Sequence, residues 1–262
     1  MKETSPLFLR PVWLIAQNSY REFMRDKILY GILLIGALIT ASSFFLATVS
    51  LDQDTRIIQN IGLAAIHLCA TVIAIFITTT SVAREIEGRA LYILFPKPIS
   101  RSQYVLGKYL GVLLLVLTTL ALLGGFFTLA LVFRDRSLLL NTLLSLIASF
   151  FEISLLVALA ELFACFTAPL NATLYTAALF IIGHSLTLMR QYAARVSGPL
   201  VQHLLGLAYY LLPNLDKFAV RQPLLYGLAI PPAAIAFSLL YWLIYTGLVL
   251  YLAIQVMQRR EV

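Results

Sequence analysis

The stretch Ala83–Gly111, AREIEGRALYILFPKPISRSQYVLGKYLG, separates two long apolar runs and carries seven charged side chains, five of them basic. Charge concentrated between apolar segments is typical of a loop at a membrane surface. Pro96 and Pro98 interrupt the stretch, because the residue before a proline is pushed out of the helical conformation. The pattern therefore predicts two helices that leave a membrane and are joined by a sharp turn with an apolar tip, Leu91–Phe95.

The composition of the whole chain indicates a membrane protein. Of its 262 residues, 61% are hydrophobic and only 12% are charged, and the mean hydropathy is +0.91. Soluble domains have about 25% charged residues, whereas a helix of about 20 apolar residues crosses the hydrocarbon core. We therefore expect an all-α membrane protein with one transmembrane domain, 1–262, and six spans: Ile28–Val49, Ile61–Val82, Leu110–Phe133, Leu138–Phe166, Ala172–Met189 and Ala233–Met257.

Three regions lie outside these spans. Residues 1–27 are predicted to form an amphipathic interfacial helix, either a simple surface anchor or a mechanical element, with one apolar face: Trp13, Ala16, Tyr20, Phe23 and Met24. Residues 83–109 form the charged loop. In 190–232, the nearly uncharged run Val201–Leu212 is too short to span and precedes LPNLDKF, so we expect an outer re-entrant or interfacial helical element that covers a cavity.

The distribution of basic residues predicts the orientation of the chain. When loops are assigned alternately to the two sides, twelve Lys and Arg fall on the side of the termini and the charged loop, and seven fall on the other. Basic residues favour the cytoplasmic side, so both termini should be cytoplasmic in an inner membrane. The net charge is +7, and the basic residues lie at the ends of the spans. This position favours membrane anchoring over nucleic-acid binding. Arg10 and Pro11 interrupt the first apolar segment, which argues against a cleavable signal peptide.

The charged loop has features of a docking element. Ser100 and Gln103 have the spacing of a capping box, which predicts that a new helix begins there. The apolar tip could rest on lipid headgroups, or insert into a groove of a cytoplasmic protein. In the second case the charges around it would fix the orientation: Arg84, Glu85, Arg89 and Arg101.

The loop resembles the cytoplasmic coupling element of ABC-2 type transporter permeases, whose pattern runs roughly R-E-x-E-x-G-T-L, then L-x-x-P-I-S-R, then G-K-x-L-G. The matching residues are Arg84, Glu85, Glu87, Leu91, Pro98, Ile99, Ser100, Arg101, Gly107, Lys108 and Gly111. Gly88 comes one residue earlier in this sequence than the glycine of the family pattern does. LPNLDKF is also similar to a stretch often seen in this family, and the six-span architecture is the one the resemblance implies.

The resemblance implies a permease subunit of an exporter that works as a dimer with a second copy or a paralogue. Two separate ATPase subunits would bind ATP and Mg²⁺ and push the coupling element, while lipids surround the spans. The chain carries no GxxxxGK[ST] motif, so it is not expected to be an enzyme or to hold a cofactor itself. Two readings stay open: export of an unidentified substrate, or a scaffold that matures an extracytoplasmic partner.

Two intramembrane carboxylates are further candidates. Glu152 is expected to make a polar contact at a dimer interface or in a cavity, and Glu161 to be solvated at the cytoplasmic end of its span. Phe180–His184 has the FxxxH spacing of glutamic intramembrane proteases, but the EExxxR motif is missing, so a chance match is favoured. His67 and His184 are expected to pack within the bundle, and the sequence pattern shows no metal-ligand cluster.

Overall fold

The computed structural model describes residues 6–47, 54–87, 100–133, 138–193, 199–220, 223–224, 228 and 230–259. Over these residues the chain is helical. The eight α-helices of the described ranges are α1 Pro6–Phe23, α2 Lys27–Ala47, α3 Asp54–Glu87, α4 Arg101–Val132, α5 Leu139–Ala164, α6 Pro169–Ala193, α7 Pro199–Leu211 and α8 Pro232–Arg259. A short 3-10 helix, η1, covers Leu215–Phe218.

The long helices α3, α4, α5, α6 and α8 form a bundle with two distinct ends. At one end, which we call the Arg101 end, α4 and α6 begin and α3, α5 and α8 finish. At the other, the Asp216 end, α3, α5 and α8 begin, α4 and α6 finish, and η1 packs against α5 and α6. A hydrogen bond of 3.0 Å from Gln59 Nε2 to Thr142 Oγ1 joins the beginnings of α3 and α5 there.

Helix α5 is the centre of the bundle. Every side chain from Glu152 to Glu161 is buried, since α5 packs against α3, α4, α6 and α8. A helix that is apolar on nearly all faces lies either in a protein core or in lipid, and this part of α5 lies in the protein core. One polar bond fixes α8 against it: Trp242 Nε1 donates to Ser154 Oγ at 2.6 Å, and the Trp242 ring meets Phe151 edge-on with the centroids 4.9 Å apart.

Helix α1 packs closely along the first half of α4. A Cβ at Gly107 would lie 2.7 Å from Ile15 Cβ, and one at Gly111 would lie 2.8 Å from Ser19 Cβ, so two glycines permit the contact. Ala16 and Phe23 are buried as their pattern suggests, but Trp13 stays 49% exposed. Ile15 and Ser19, rather than Trp13, are the side chains that meet the two glycines.

Five helices are long and apolar enough to cross a membrane among the residues the structure describes: Ile58–Val82, Arg101–Val132, Leu139–Ala164, Pro169–Tyr192 and Pro232–Arg259. They cover the second to sixth predicted spans. The helix α4 begins nine residues before its predicted span, because the polar segment from Arg101 continues as helix. The first predicted span coincides with α2, in which Lys27–Ser43 is a shorter apolar helix. The chain is thus an all-α, multi-pass membrane protein.

The region 190–232 contains the expected short helix and a compact connection. Helix α7 packs against α6, and Asn214 caps η1 by accepting from the Asp216 amide at 3.1 Å. The Asn214 amide itself donates to Tyr241 Oη in α8 at 2.9 Å. A Cβ at Gly183 would lie 2.8 Å from the Pro213 carbonyl oxygen, so this connection touches the backbone of α6. Residues 214–218 are therefore fixed against the bundle.

Candidate functional site

A buried polar cluster joins α3 to α4 at the Arg101 end. Glu85 is in the last turn of α3, and its carboxylate accepts hydrogen bonds from Lys108 Nζ and Tyr104 Oη of α4. The Lys108 side chain is only 3% exposed and that of Glu85 is 20% exposed. Lys108 also lies 5.4 Å from the ring centroid of Phe23 in α1. A buried lysine requires such a partner, so this contact holds three helices in one arrangement.

The beginning of α4 is capped as predicted. Ser100 Oγ accepts from the Gln103 amide at 3.2 Å, while Gln103 Oε1 accepts from the Ser100 amide at 2.8 Å. Arg101 then reaches the last turn of α8, which finishes at the same end of the bundle: its Nη1 donates to the carbonyl oxygens of Met257 and Gln258 at 2.7 and 2.8 Å. A cation at the C-terminal carbonyls of a helix is favourable, so Arg101 stabilises the last turn of α8.

The predicted coupling residues therefore divide into four groups. Glu85, Ser100, Arg101, Gly107 and Lys108 make contacts within the chain, whereas Arg84 is exposed. Glu87 ends α3. Arg89, Leu91, Pro98 and the whole apolar tip lie outside the described residues. The docking roles stay predictions, but the intramolecular partners of Glu85, Arg101 and Lys108 are an additional finding that the sequence pattern did not provide.

The expectation that Glu161 is solvated is wrong. Its side chain is 1% exposed, and neither carboxylate oxygen has a hydrogen-bond partner among the described residues. Glu161 was expected to be near water because it lies close in sequence to the end of its span. However, α4 covers that part of α5, and Lys108 is close enough to interact electrostatically with the Glu161 carboxylate.

Three side chains from three helices converge at a second site, deeper in the bundle. Glu152 Oε1 lies 3.2 Å from His67 Nε2 of α3 and 3.1 Å from His184 Nε2 of α6. The three ligand atoms all lie within 4.8 Å of one another. Glu152 is nearly fully buried, and its polar neighbours at this site are two histidines of the same chain. Its predicted role, a polar contact in a cavity or at a dimer interface, stays a prediction.

Both imidazole rings of this site lie beside Phe180 of α6. His184 Nδ1 lies 3.0 Å from the carbonyl oxygen of Phe180, one turn earlier in α6. The Phe180 ring lies beside both histidines, with its centroid 4.7 Å from that of His184 and 6.1 Å from that of His67. The FxxxH spacing therefore has a local structural meaning here, because the carbonyl oxygen and the ring of Phe180 both contact His184.

A cavity of about 430 Å³ opens beside this cluster toward the Asp216 end. Besides the three converging side chains, its lining includes four hydrogen-bonding groups: Ser145, Ser149, Thr187 and Asp216. Phe218 of η1 also lines it, so part of the connection LPNLDKF covers one side of the cavity. The cover was predicted for the helical element at Val201–Leu212, and that role stays a prediction. The Thr187 amide donates to Asp216 Oδ2 at 3.3 Å, which holds that carboxylate at the cavity wall.

Lys217 faces away from this cavity, toward α8. Its Nζ lies 3.6 Å from the ring centroid of Tyr241 and 4.9 Å from that of Phe237. Burial among these rings lowers the pKa of the Lys217 ammonium. The segment that covers the cavity is thus attached to α8 on one side and to α6 on the other.

Neither a family model nor a curated protein matches the chain. The functional assignment depends on its own residues, which form one polar cluster at the Arg101 end and one beside the cavity. Sequence reasoning named Glu85 and Lys108 of the first cluster through their motif, but not their contact with each other. At the second cluster it noted each residue as ionisable within an apolar span, which is the available signal. It missed their convergence, because His67, Glu152 and His184 lie in separate helices.

Proposed function

We propose that the chain is the permease subunit of an ABC-type exporter, driven by ATP hydrolysis in a separate subunit. The main support is the contact of Glu85 with Lys108 and Tyr104. It ties the end of α3 to the beginning of α4, and residues 88–99 connect those two termini. A force applied to this connection is therefore transmitted to both helices at once.

The contact of Arg101 with the last carbonyls of α8 extends this coupling. Through it, displacement of the Arg101 end reaches α8, and through α5 it reaches the cavity beside Glu152. The resemblance of Ala83–Gly111 to the coupling element of ABC-2 permeases agrees with this assignment. In the proposed complex, two ATPase subunits with their ATP and Mg²⁺ face the Arg101 ends of two permease subunits.

The topology that we propose has six crossings, with α2 as the first. Its 21 residues correspond to about 31 Å of helix, which is sufficient for the hydrocarbon core. The excess of basic residues near the Arg101 end supports a cytoplasmic location for that end and for both termini. The cavity, which lies toward the Asp216 end, then faces the extracytoplasmic side of the inner membrane.

The test is association with the ATPase. The tagged chain is expressed from its native operon and purified in mild detergent, and we expect a stoichiometric partner with a phosphate-binding loop. Arg84→Glu is the best variant, because Arg84 is exposed, whereas Glu85 and Arg101 have partners inside the chain. We expect at least a fivefold loss of bound ATPase from Arg84→Glu.

The control is Arg190→Glu, which reverses an exposed charge in the last turn of α6, at the opposite end of the bundle. Arg190 lies 4.6 Å from the ring centroid of Tyr209 in α7, so only its effect on ATPase binding is compared. The variant should retain the ATPase. If no ATPase co-purifies with the wild-type chain, or if both charge reversals have the same effect, the proposed docking at the Arg101 end is refuted.

A further inference from the structure

We propose that His67, Glu152 and His184 bind one divalent transition-metal ion of the zinc class. This inference does not depend on the ATPase or on transport. It starts from the composition of the cluster: two imidazoles and one carboxylate are the ligand set that Zn²⁺ and related ions accept with a further position left open. Mg²⁺ and Ca²⁺ fit this site less well, because they prefer oxygen ligands to imidazole nitrogens.

The distances agree with coordination. In a tetrahedral zinc site with bonds of about 2.0–2.1 Å, neighbouring ligand atoms lie about 3.3 Å apart. Glu152 Oε1 lies 3.2 Å from His67 Nε2 and 3.1 Å from His184 Nε2. Because all three ligand atoms lie within 4.8 Å of one another, the two imidazoles need to approach by no more than about 1.5 Å.

The hydrogen bonds of His184 fix which nitrogen faces the cluster. A carbonyl oxygen only accepts, so the 3.0 Å contact with Phe180 requires the proton on Nδ1. In the neutral ring, Nε2 then presents a lone pair toward the Glu152 oxygen. This arrangement, in which the outer nitrogen donates to a carbonyl and the inner one binds, is the usual one for a metal-binding histidine.

Hydrogen bonds alone do not account for the cluster. Despite the short distances, neither His67 Nε2 nor Glu152 Oε1 has the angles of a hydrogen bond with any residue in the described ranges. The Glu152 side chain is 95% buried, and a buried carboxylate oxygen such as Oε1 is costly without a hydrogen bond or a cation. A cation at the centre of the three atoms would satisfy all of them together.

The cavity supplies the remaining coordination position. It lies on the side of the cluster that the protein leaves open, and its volume of about 430 Å³ is ample for water or a small ligand. An ion held by three protein ligands and facing such a space exchanges its fourth ligand readily. Asp216, on the covering segment, places a second carboxylate in the same cavity.

The test is direct metal binding by the full-length chain in detergent. The protein is stripped with a chelator and titrated with Zn²⁺, and then with Co²⁺ to record ligand-field absorption. We expect about one ion per chain for the wild type, with a Co²⁺ spectrum of low coordination number. His67→Gln, Glu152→Gln and His184→Gln should each weaken binding at least about 100-fold, beyond the 10–100-fold effect of removing a supporting residue.

The matched control is His203→Gln, which removes an exposed histidine of α7 and should leave the ion bound. Absence of saturable binding by the wild type, or equal binding by the three variants, overturns the proposal. Should the variants fail to purify as a single species, X-ray absorption of the zinc-loaded wild type decides. Two imidazoles and a carboxylate around the ion support the site, and any other ligand set refutes it.

Discussion

Lys108 of α4 donates a hydrogen bond to Glu85 of α3 inside the helix bundle. Both residues belong to the motif that resembles a coupling element, yet they contact each other. The motif therefore has a structural part, which fixes the two helices at their common end, and an exposed part that includes Arg84. Separating these parts is essential when variants of the region are interpreted.

The Lys108–Glu85 pair should be important for stability. Lys108→Met leaves Glu85 partly buried without its cation, and we expect a loss of about 3 kcal/mol of unfolding free energy, at the lower end of the range for a broken buried pair because Glu85 keeps some exposure. The double variant with Glu85→Gln should recover more than half of this loss. Denaturant titration in mixed micelles measures both, and an additive loss in the double variant would show that the two side chains do not interact.

The Arg101 contact predicts a local effect at the far end of the chain. Arg101→Gln removes the charge-assisted bonds to the Met257 and Gln258 carbonyls, which we expect to cost about 1.5 kcal/mol, or a roughly tenfold faster amide exchange in the last turn of α8. Hydrogen exchange detected by mass spectrometry measures it. Arg84→Gln is the control and should leave this exchange unchanged.

The contact of α1 with α4 predicts opposite effects for two glycines of α4. In Gly111→Ala, the new methyl would meet Ser19 Cβ at 2.8 Å and the Ala16 carbonyl oxygen at 3.0 Å, so we expect about 1–3 kcal/mol of destabilisation. Gly125→Ala meets nothing within 4 Å and should stabilise by about 0.5–1 kcal/mol through helix propensity. Thermal unfolding of the two variants tests this, and equal shifts would contradict the packing.

The capping box at Ser100 should make a smaller contribution to the unfolding free energy, which can be measured separately from that of the Lys108–Glu85 pair. Ser100→Ala removes the acceptor of the Gln103 amide, and a loss of about 1 kcal/mol is expected. Ser42→Ala, at an exposed position of α2, is the control and should change stability by less than half as much. Denaturation midpoints of the two variants can be compared directly, and an unchanged midpoint for Ser100→Ala would mean that this cap does not stabilise α4.

The features that depend on local sequence could be predicted, and those that depend on packing could not. The prediction of a capping box at Ser100 was confirmed, because its hydrogen bonds lie within four residues. Five of the six predicted spans correspond to helices long and apolar enough to cross a membrane, because 20 apolar residues have few alternatives to a helix in lipid. In contrast, the solvation of Glu161 was misjudged, since only the packing of α4 over α5 determines it.

The convergence of His67, Glu152 and His184 could not be predicted from the sequence. Each residue was noted as polar within an apolar span, and FxxxH drew attention to His184. Their convergence depends on the rotation of α3, α5 and α6 about their axes, and hydrophobic periodicity is weak in helices that are apolar on nearly all faces. Three-dimensional packing was needed to show that these residues share one point.

The bond between Trp242 and Ser154 gives the molecule its own optical reporter. The chain has two tryptophans, and Trp13 on the surface of α1 can be replaced with phenylalanine. The remaining indole then emits from the junction of α5 and α8, in contact with Phe151, the neighbour of Glu152 in the sequence. Its emission wavelength and lifetime would register a change in the packing of α8 against α5 without any attached dye.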